Sequence, residues 1–339
     1  MTTHRFTSRP SVPLSALVLV LLLPALAGAA DWEPTTEELL KSEKTGFGGL
    51  CGIAVDHATG AVYIDLSDRG FYRSTDQGKS WKPTAEKLLK GRTEWPGCLI
   101  LDPTGRSKRI VSALVYGGPI AVSADEGKTW EFMNTRSEHI DWCAVDWSDP
   151  DLKFVLALKH ESGDLLIVSR DGGKSFEEVG KGYGPAWVFD SKTAVVAETK
   201  TKDRPKPRLL RTDDAGLTFK PCGDYSTKAL PKWRGKTLFW VVEGALIAST
   251  DKGESWKKVG DLKDGRYGPI FGKDESHMFV LTGAGIVEST DSGATWSMPL
   301  ELPKEVKGNS PLTWIEYDPK NDILYAMKMG SQLYRYARK

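Results

Sequence analysis

Five carboxylates could do chemistry in this chain. Asp141, Glu161, Asp164, Glu198 and Glu243 fall in stretches that read as loops, not strands. Glycoside hydrolysis needs two such groups facing each other, ~5–9.5 Å apart, one giving a proton and the other attacking or activating water. Spacing along the chain singles out no pair, and Asp141 with Glu161 stands as the catalytic alternative. The same stretches carry Trp95, Trp142, Tyr183, Trp187, Trp233, Tyr267 and Trp314, with Arg92, His139, His160 and Arg204 among them. Rings beside charges suit stacking on a sugar or contact with a protein. The candidate ligand surface is therefore Trp95, Asp141, Trp142, His160, Glu161, Tyr183, Arg204, Trp233 and Tyr267, and its partner a protein or a glycan. Packing inside the fold is an equal reading for Trp187 and Trp314.

Other chemistries find no footing in the motifs. Cys-x-x-Cys and paired histidines are missing, so spacing gives zinc no ligand set. No Gly-rich phosphate loop, Gly-x-Ser-x-Gly elbow or His-Glu-x-x-His is present, and no cofactor is expected.

The elements that must position these residues announce themselves by repetition. Ser74-Thr-Asp76-Gln-Gly78-Lys-Ser80-Trp81 reads as a strand end, a tight turn and the next strand. Asp76 can accept hydrogen bonds from the turn's own N–H groups, and Gly78 supplies a positive φ. Ser80 adds a second local bond, and Trp81 turns its ring into the layer below. The pattern S/T-x-D-x-G-x-S/T-W/F recurs around Asp125, Asp171, Asp214, Asp251 and Asp291, at steps of 49, 46, 43, 37 and 40 residues. A period of ~40–45 residues built from short strands marks a β-propeller, one four-stranded blade per repeat.

The two ends of the chain complete the count. Trp32-Glu-Pro34-Thr35 through Leu39-Leu40 matches Trp81-Lys-Pro83-Thr84 through Leu88-Leu89, a segment that follows an Asp turn. The chain thus begins on a fourth strand without its first three, while three strands from Trp314 to Tyr336 end without a fourth. Pairing them closes a seventh blade and removes the open edges. The expectation is an all-β, seven-bladed propeller of four-stranded blades over residues 31–339, closed by the N-terminal strand. Thr84 to Leu89 is read as a loop turn, and Lys200 to Lys206 as a solvated insertion. Cys51, Cys98 and Cys143 open three successive first strands, where small apolar side chains suit a crowded inner ring. Export would permit a Cys51–Cys98 disulfide, with Cys222 well away.

Residues 1–30 read as a signal peptide. Arg5 and Arg9 precede the apolar run Leu14–Leu26, and Ala27-Gly28-Ala29 offers a cleavage site. A secreted or periplasmic monomer, not embedded in a membrane, is expected. Beyond residue 30 the chain carries 44 basic and 45 acidic residues, which gives nucleic acid no basic excess to bind.

These repeats resemble the BNR or Asp-box family, which includes sialidases, xyloglucan-cleaving endoglucanases, sortilin-type receptor ectodomains and photosystem II assembly factors. In that family the Asp turn joins the third and fourth strands on the rim opposite the usual ligand face. The resemblance therefore implies a structural role for Asp76, Asp125, Asp171, Asp214, Asp251 and Asp291, and places ligands on the loops entering each first strand and between second and third strands. A sialidase is disfavoured. The Arg-Ile-Pro of those enzymes is replaced by Arg109-Ile110-Val111, and they have six blades. The resemblance implies an exported binding or assembly scaffold, with a glycoside hydrolase as the alternative.

Overall fold

A computed structural model describes residues 1, 31–46, 48–84, 89, 91–116, 120–133, 139–307 and 310–338. The expected signal peptide lies outside them apart from Met1, as do four of the six residues of the Thr84–Leu89 turn. No helix among the described residues is long and apolar enough to cross a membrane.

Seven antiparallel sheets follow one another along the chain. Blade 1 takes Gly52–Val55, Val62–Asp65, Phe71–Ser74 and Lys82–Pro83. Blade 2 takes Leu99–Leu101, Ile110–Ala113, Ile120–Ser123 and Glu131–Phe132, and blade 3 Ile140–Val145, Val155–Lys159, Leu165–Ser169 and Glu177–Gly180. Blade 4 is Tyr183–Val188, Ala194–Glu198, Leu209–Thr212 and Lys220–Gly223; blade 5 is Lys232–Arg234, Thr237–Val242, Ala245–Ser249 and Lys257–Asp261. Blade 6 has Gly265–Phe271, Met278–Thr282 and Gly285–Ser289, and blade 7 Thr313–Asp318, Ile323–Lys328 and Tyr334–Ala337. The last sheet is completed by Glu33–Pro34, with Glu33 opposite Arg335 and Pro34 opposite Tyr334. The N-terminal strand does close the ring.

Inner strands are buried on both faces and read as short apolar runs; outer strands are exposed on one side. Trp142, Trp240 and Trp314 lie fully buried in the core. Two departures from the expected pattern have physical causes. In blade 6 a single bridge, Ile286 to Leu300, stands where a fourth strand is expected. Pro299 beside it has no N–H to donate to a ladder. At the N-terminus only two residues pair as strand, and Glu37–Glu43 then forms an α-helix. Leu39 and Leu40 thus pack against the core from a helix, not from the strand expected over Trp32–Leu40.

The Asp turns join third and fourth strands, and their hydrogen bonds repeat from blade to blade. At Asp76, Oδ1 accepts from the Ser80 N–H at 2.9 Å and Oδ2 from the Ser80 hydroxyl at 2.6 Å. The Ser74 hydroxyl donates to Asp76 Oδ1 at 2.7 Å and accepts from the Gly78 N–H at 2.8 Å. Around Asp291 the four corresponding bonds run from 2.5 to 2.9 Å. The turn glycines have φ of +78° to +90°, where a Cβ is disfavoured. The turn's aromatic residue reaches the preceding blade: Trp81 Nε1 donates to Thr35 O at 3.0 Å, and Trp130 stacks on Phe71 at 4.4 Å.

Candidate functional site

On the rim opposite the Asp turns, the leading loops and the turns between second and third strands enclose a cleft of about 940 Å³. Blade 2 contributes Glu94, Trp95 and Pro96; blade 3 contributes Asp141, His160 and Glu161. Blades 5 to 7 supply Ser226–Ala229, Glu243, Asp264–Tyr267 and Ser310–Thr313.

One end of the cleft is an ion cluster built round His160. Its Nδ1 lies 2.6 Å from Asp141 Oδ1 and 3.7 Å from Glu94 Oε2. Its Nε2 lies 3.1 Å from the Tyr116 hydroxyl and 3.6 Å from Glu161 Oε1. Glu94 spends its other oxygen on Arg92 at 2.7 Å. Burial pushes the Asp141 carboxyl above its ordinary range, and the bond to His160 pulls it back. Glu94, Asp141 and His160 each place a donor atom within 4.8 Å of the others. Three such atoms could ligate a divalent cation, although here His160 Nδ1 is bonded to Asp141. Spacing rules built on cysteine and histidine pairs do not reach a cluster assembled from three separate segments.

The imidazole also stands beside both members of the expected catalytic pair. Asp141 and Glu161 sit at opposite nitrogens of His160.

The expected ligand residues divide into four groups. Trp95, Asp141, His160, Glu161 and Tyr267 line the cleft. Trp95 lies half-buried, its Nε1 donating to Lys228 O at 3.2 Å. Tyr183 and Arg204 belong to blade 4 and a separate patch, where the guanidinium lies over the tyrosine ring at 5.7 Å and 3.2 Å from buried Glu198. Trp233 stacks on Trp187 at 6.0 Å in a different cavity. Trp142 is no ligand residue on a loop: it lies in the first strand of blade 3 and is completely buried. Asp141 and Trp142 are neighbours in one strand, so alternation sends one to the cleft and the other to the core. Trp187 and Trp314 are buried as well.

Sequence reasoning missed Glu94, Tyr116 and Asp264, although Glu94 adjoins Trp95 and the same loop argument covers it. It also missed Lys232 and Glu316, which join Tyr267 in a buried polar group across the channel. Lys232 Nζ donates to the Tyr267 hydroxyl at 3.0 Å, and that hydroxyl donates to Glu316 Oε1 at 3.0 Å. Burial lowers Lys232 and raises Glu316 and Tyr267 from their ordinary values. The signal was a charge inside an apolar first strand, Trp314-Ile-Glu316-Tyr317. Cys51, Cys98 and Cys143 are buried free thiols and Cys222 is half-buried and free, so no Cys51–Cys98 disulfide is formed.

Comparison with known proteins agrees with this architecture. The BNR/Asp-box repeat matches residues 72–83. Sortilin of Mus musculus is 28% identical over 268 residues, covering 71% of this chain and 31% of sortilin; Rattus norvegicus sortilin gives 27% over the same length. The chain thus spans about a third of these curated relatives. Among solved structures, YCF48 bound to D1 peptide superposes with a TM-score of 0.51 at 16% identity, covering 94% of this chain and all of that one. An ancestral GH74 enzyme gives 0.50 at 16% identity, covering 91% of this chain and 46% of the enzyme. The Swd1 propeller of Myceliophteria thermophila gives 0.55 at 11% identity, covering 87% and 98%. These likenesses show the fold: the chain is a β-propeller that carries a BNR/Asp-box repeat, matched at its first copy, with the same turn pattern at five further positions.

Proposed function

We propose that this propeller is a binding module that holds an extended polypeptide segment with basic side chains across the far-rim cleft. The carrying observation is the cleft's excess of carboxylates. Glu94, Asp141, Glu161, Glu243 and Asp264 face it, against Lys228, Arg266 and His160. Three are already engaged: Glu94 with Arg92, Asp141 with His160, and Asp264 with Arg266 at 2.8 Å. Glu161 is exposed beside His160 and Tyr116, and Glu243 stands exposed, open to a cation from a partner. A cleft of this volume falls within the ~300–1,000 Å³ range of ligand sites. The D1 peptide held by YCF48 supports the reading, since that protein shares the fold. Export, expected from residues 1–30, belongs to the same proposal.

The mature chain would be screened on arrays of basic, neutral and acidic peptides, and in parallel against polysaccharides for retention and release of reducing ends. Basic peptides are expected to bind, less tightly as salt rises. Glu243→Gln should weaken them about threefold to fivefold, the size of an exposed ion pair. Equal retention of acidic and basic peptides overturns the proposal. Release of reducing ends that vanishes in Asp141→Asn or Glu161→Gln would favour the hydrolase instead.

A further inference from the structure

A second cavity, of about 570 Å³, lies in the channel on the Asp-turn side. Its mouth is ringed by the turns that follow the first strands. In six blades an Asp occupies this turn and accepts a backbone N–H: Asp56, Asp102, Asp146, Asp190, Asp274 and Asp318, at 2.8 to 3.0 Å. Blade 5 breaks the rule. There the first strand ends on Arg234 and turns directly through Gly235-Lys236 into the second strand.

Arg234 is thus a cation where the other blades place an anion, and it has been left available. Its guanidinium lies over the Phe271 ring at 5.0 Å. Its one hydrogen bond among the described residues is a 3.5 Å contact from Nη1 to Gly272 O. No carboxylate among the described residues forms an ion pair with it. Of the carboxylates that also line the cavity, Asp56 and Asp102 direct their oxygens at their own turns, to Ala58 and Thr59 and to Thr104 and Ser107, and Glu316 accepts from the Tyr267 hydroxyl. Lys232 stands deeper on the same strand. Between the charges the walls are aromatic: Trp147, Trp187, Trp233 and Phe271. Such a mixture, apolar faces with a cation at the mouth, orients a ligand by its acidic group while its body fills the apolar space.

We propose that this chamber binds a small organic anion with a flat apolar body, its acidic group on Arg234 and its rings against Trp233 and Phe271. The site is independent of the far-rim cleft, because Gly97, Lys232 and Tyr267 stand between the two. A Cβ on Gly97 would lie 3.1 Å from the Tyr267 ring and 3.3 Å from Lys232 Nζ, so the partition is tight.

The test uses 2-naphthoate and its neutral isostere 2-naphthamide, with the purified chain, by calorimetry and quenching of tryptophan emission. Naphthoate is expected to bind one to one, and the amide about tenfold or more weakly, the loss of one charge-assisted pair. Arg234→Gln should bring naphthoate down to the level of the amide, and Arg234→Lys should restore part of the difference. Melting of each variant establishes that it is folded, and basic-peptide binding at the other rim should be unchanged. Equal affinity for acid and amide in the unaltered chain, or no binding of either at millimolar concentration, overturns the proposal. So does a folded Arg234→Gln variant that still prefers the acid.

Discussion

Asp251 shows what a single side chain does in this fold. It accepts from the Ser255 N–H at 3.0 Å and from two hydroxyls, Ser249 and Ser255, at 2.7 and 2.5 Å. Asp251→Ala leaves these donors to water, since the turn is exposed, and should cost about 1 kcal/mol, the low end for lost hydrogen bonds. A denaturant midpoint that does not move would remove the structural role of the turn. The six turns also set an acid limit. At Asp214 and Asp291, hydrogen bonds from the hydroxyls and N–H groups of Thr218 and Thr295 hold the carboxyl down to about 2. A lowered carboxyl stabilises the fold above its unfolded value of ~3.9 and loses that contribution as pH falls towards 2. Melting temperature should therefore fall between about pH 4 and pH 2, and Asp214→Asn should flatten the slope. Asp65 works the opposite way. Burial raises it to about 7 against three bonds from Ser67 and Thr93, so its contribution falls as pH rises from about 4 through 7.

At the scale of the element, the blade is held by its outermost strand, and blade 7 borrows that strand from the other end of the chain. Thr35 N donates to Leu333 O at 2.8 Å, and Leu333 N donates to the Thr36 hydroxyl at 2.9 Å. Removing residues 31–36 exposes the edge of Tyr334–Ala337 and strips Trp81 of its acceptor on Thr35. The truncated chain should melt lower in one cooperative step and associate through the freed edge. A monomer of unchanged melting temperature would refute closure by this strand. The closing strand was legible because its sequence repeats that of Trp81–Leu89, and a repeat needs no knowledge of contacts. The helix after it was not legible: its seven residues make about two turns, too few for a helical period to stand out, and the matching Thr84 to Leu89 was read as a loop turn. Trp142 was misplaced because it lies inside a strand that was read as loop, and in a strand a step of one residue exchanges the core and cleft faces.

At the scale of the molecule, the sequence could place loops on a rim but could not say which loops meet. His160 finds Asp141 within its own blade and Glu94 across a blade boundary, while Arg204 and Tyr183 end on another sector of the ring. Convergence of that kind depends on loop lengths and on the angle between blades, neither of which local patterning encodes. The far-rim cleft and the Asp-turn chamber lie back to back, with the Lys232–Tyr267–Glu316 group between them, so each rim presents its own surface.

The antiparallel seam in blade 7 has a mechanical consequence. Glu33 faces Arg335, and the Trp32 and Tyr336 rings lie 5.5 Å apart, so the chain leaves both strands at the same end of the seam. Tension between residues 31 and 338 acts along the inter-strand hydrogen bonds. It loads them one after another, as a zipper is opened. Tension between turns elsewhere in the ring loads many bonds together. Optical-trap handles at residues 31 and 338 should release the closing strand at a lower force than handles at Gly105 and Gly244 need for their first event. Equal first-event forces would mean that the seam is no weaker than the rest. With the weaker seam, a pull on its own ends would open the circle at blade 7 before any other blade yields.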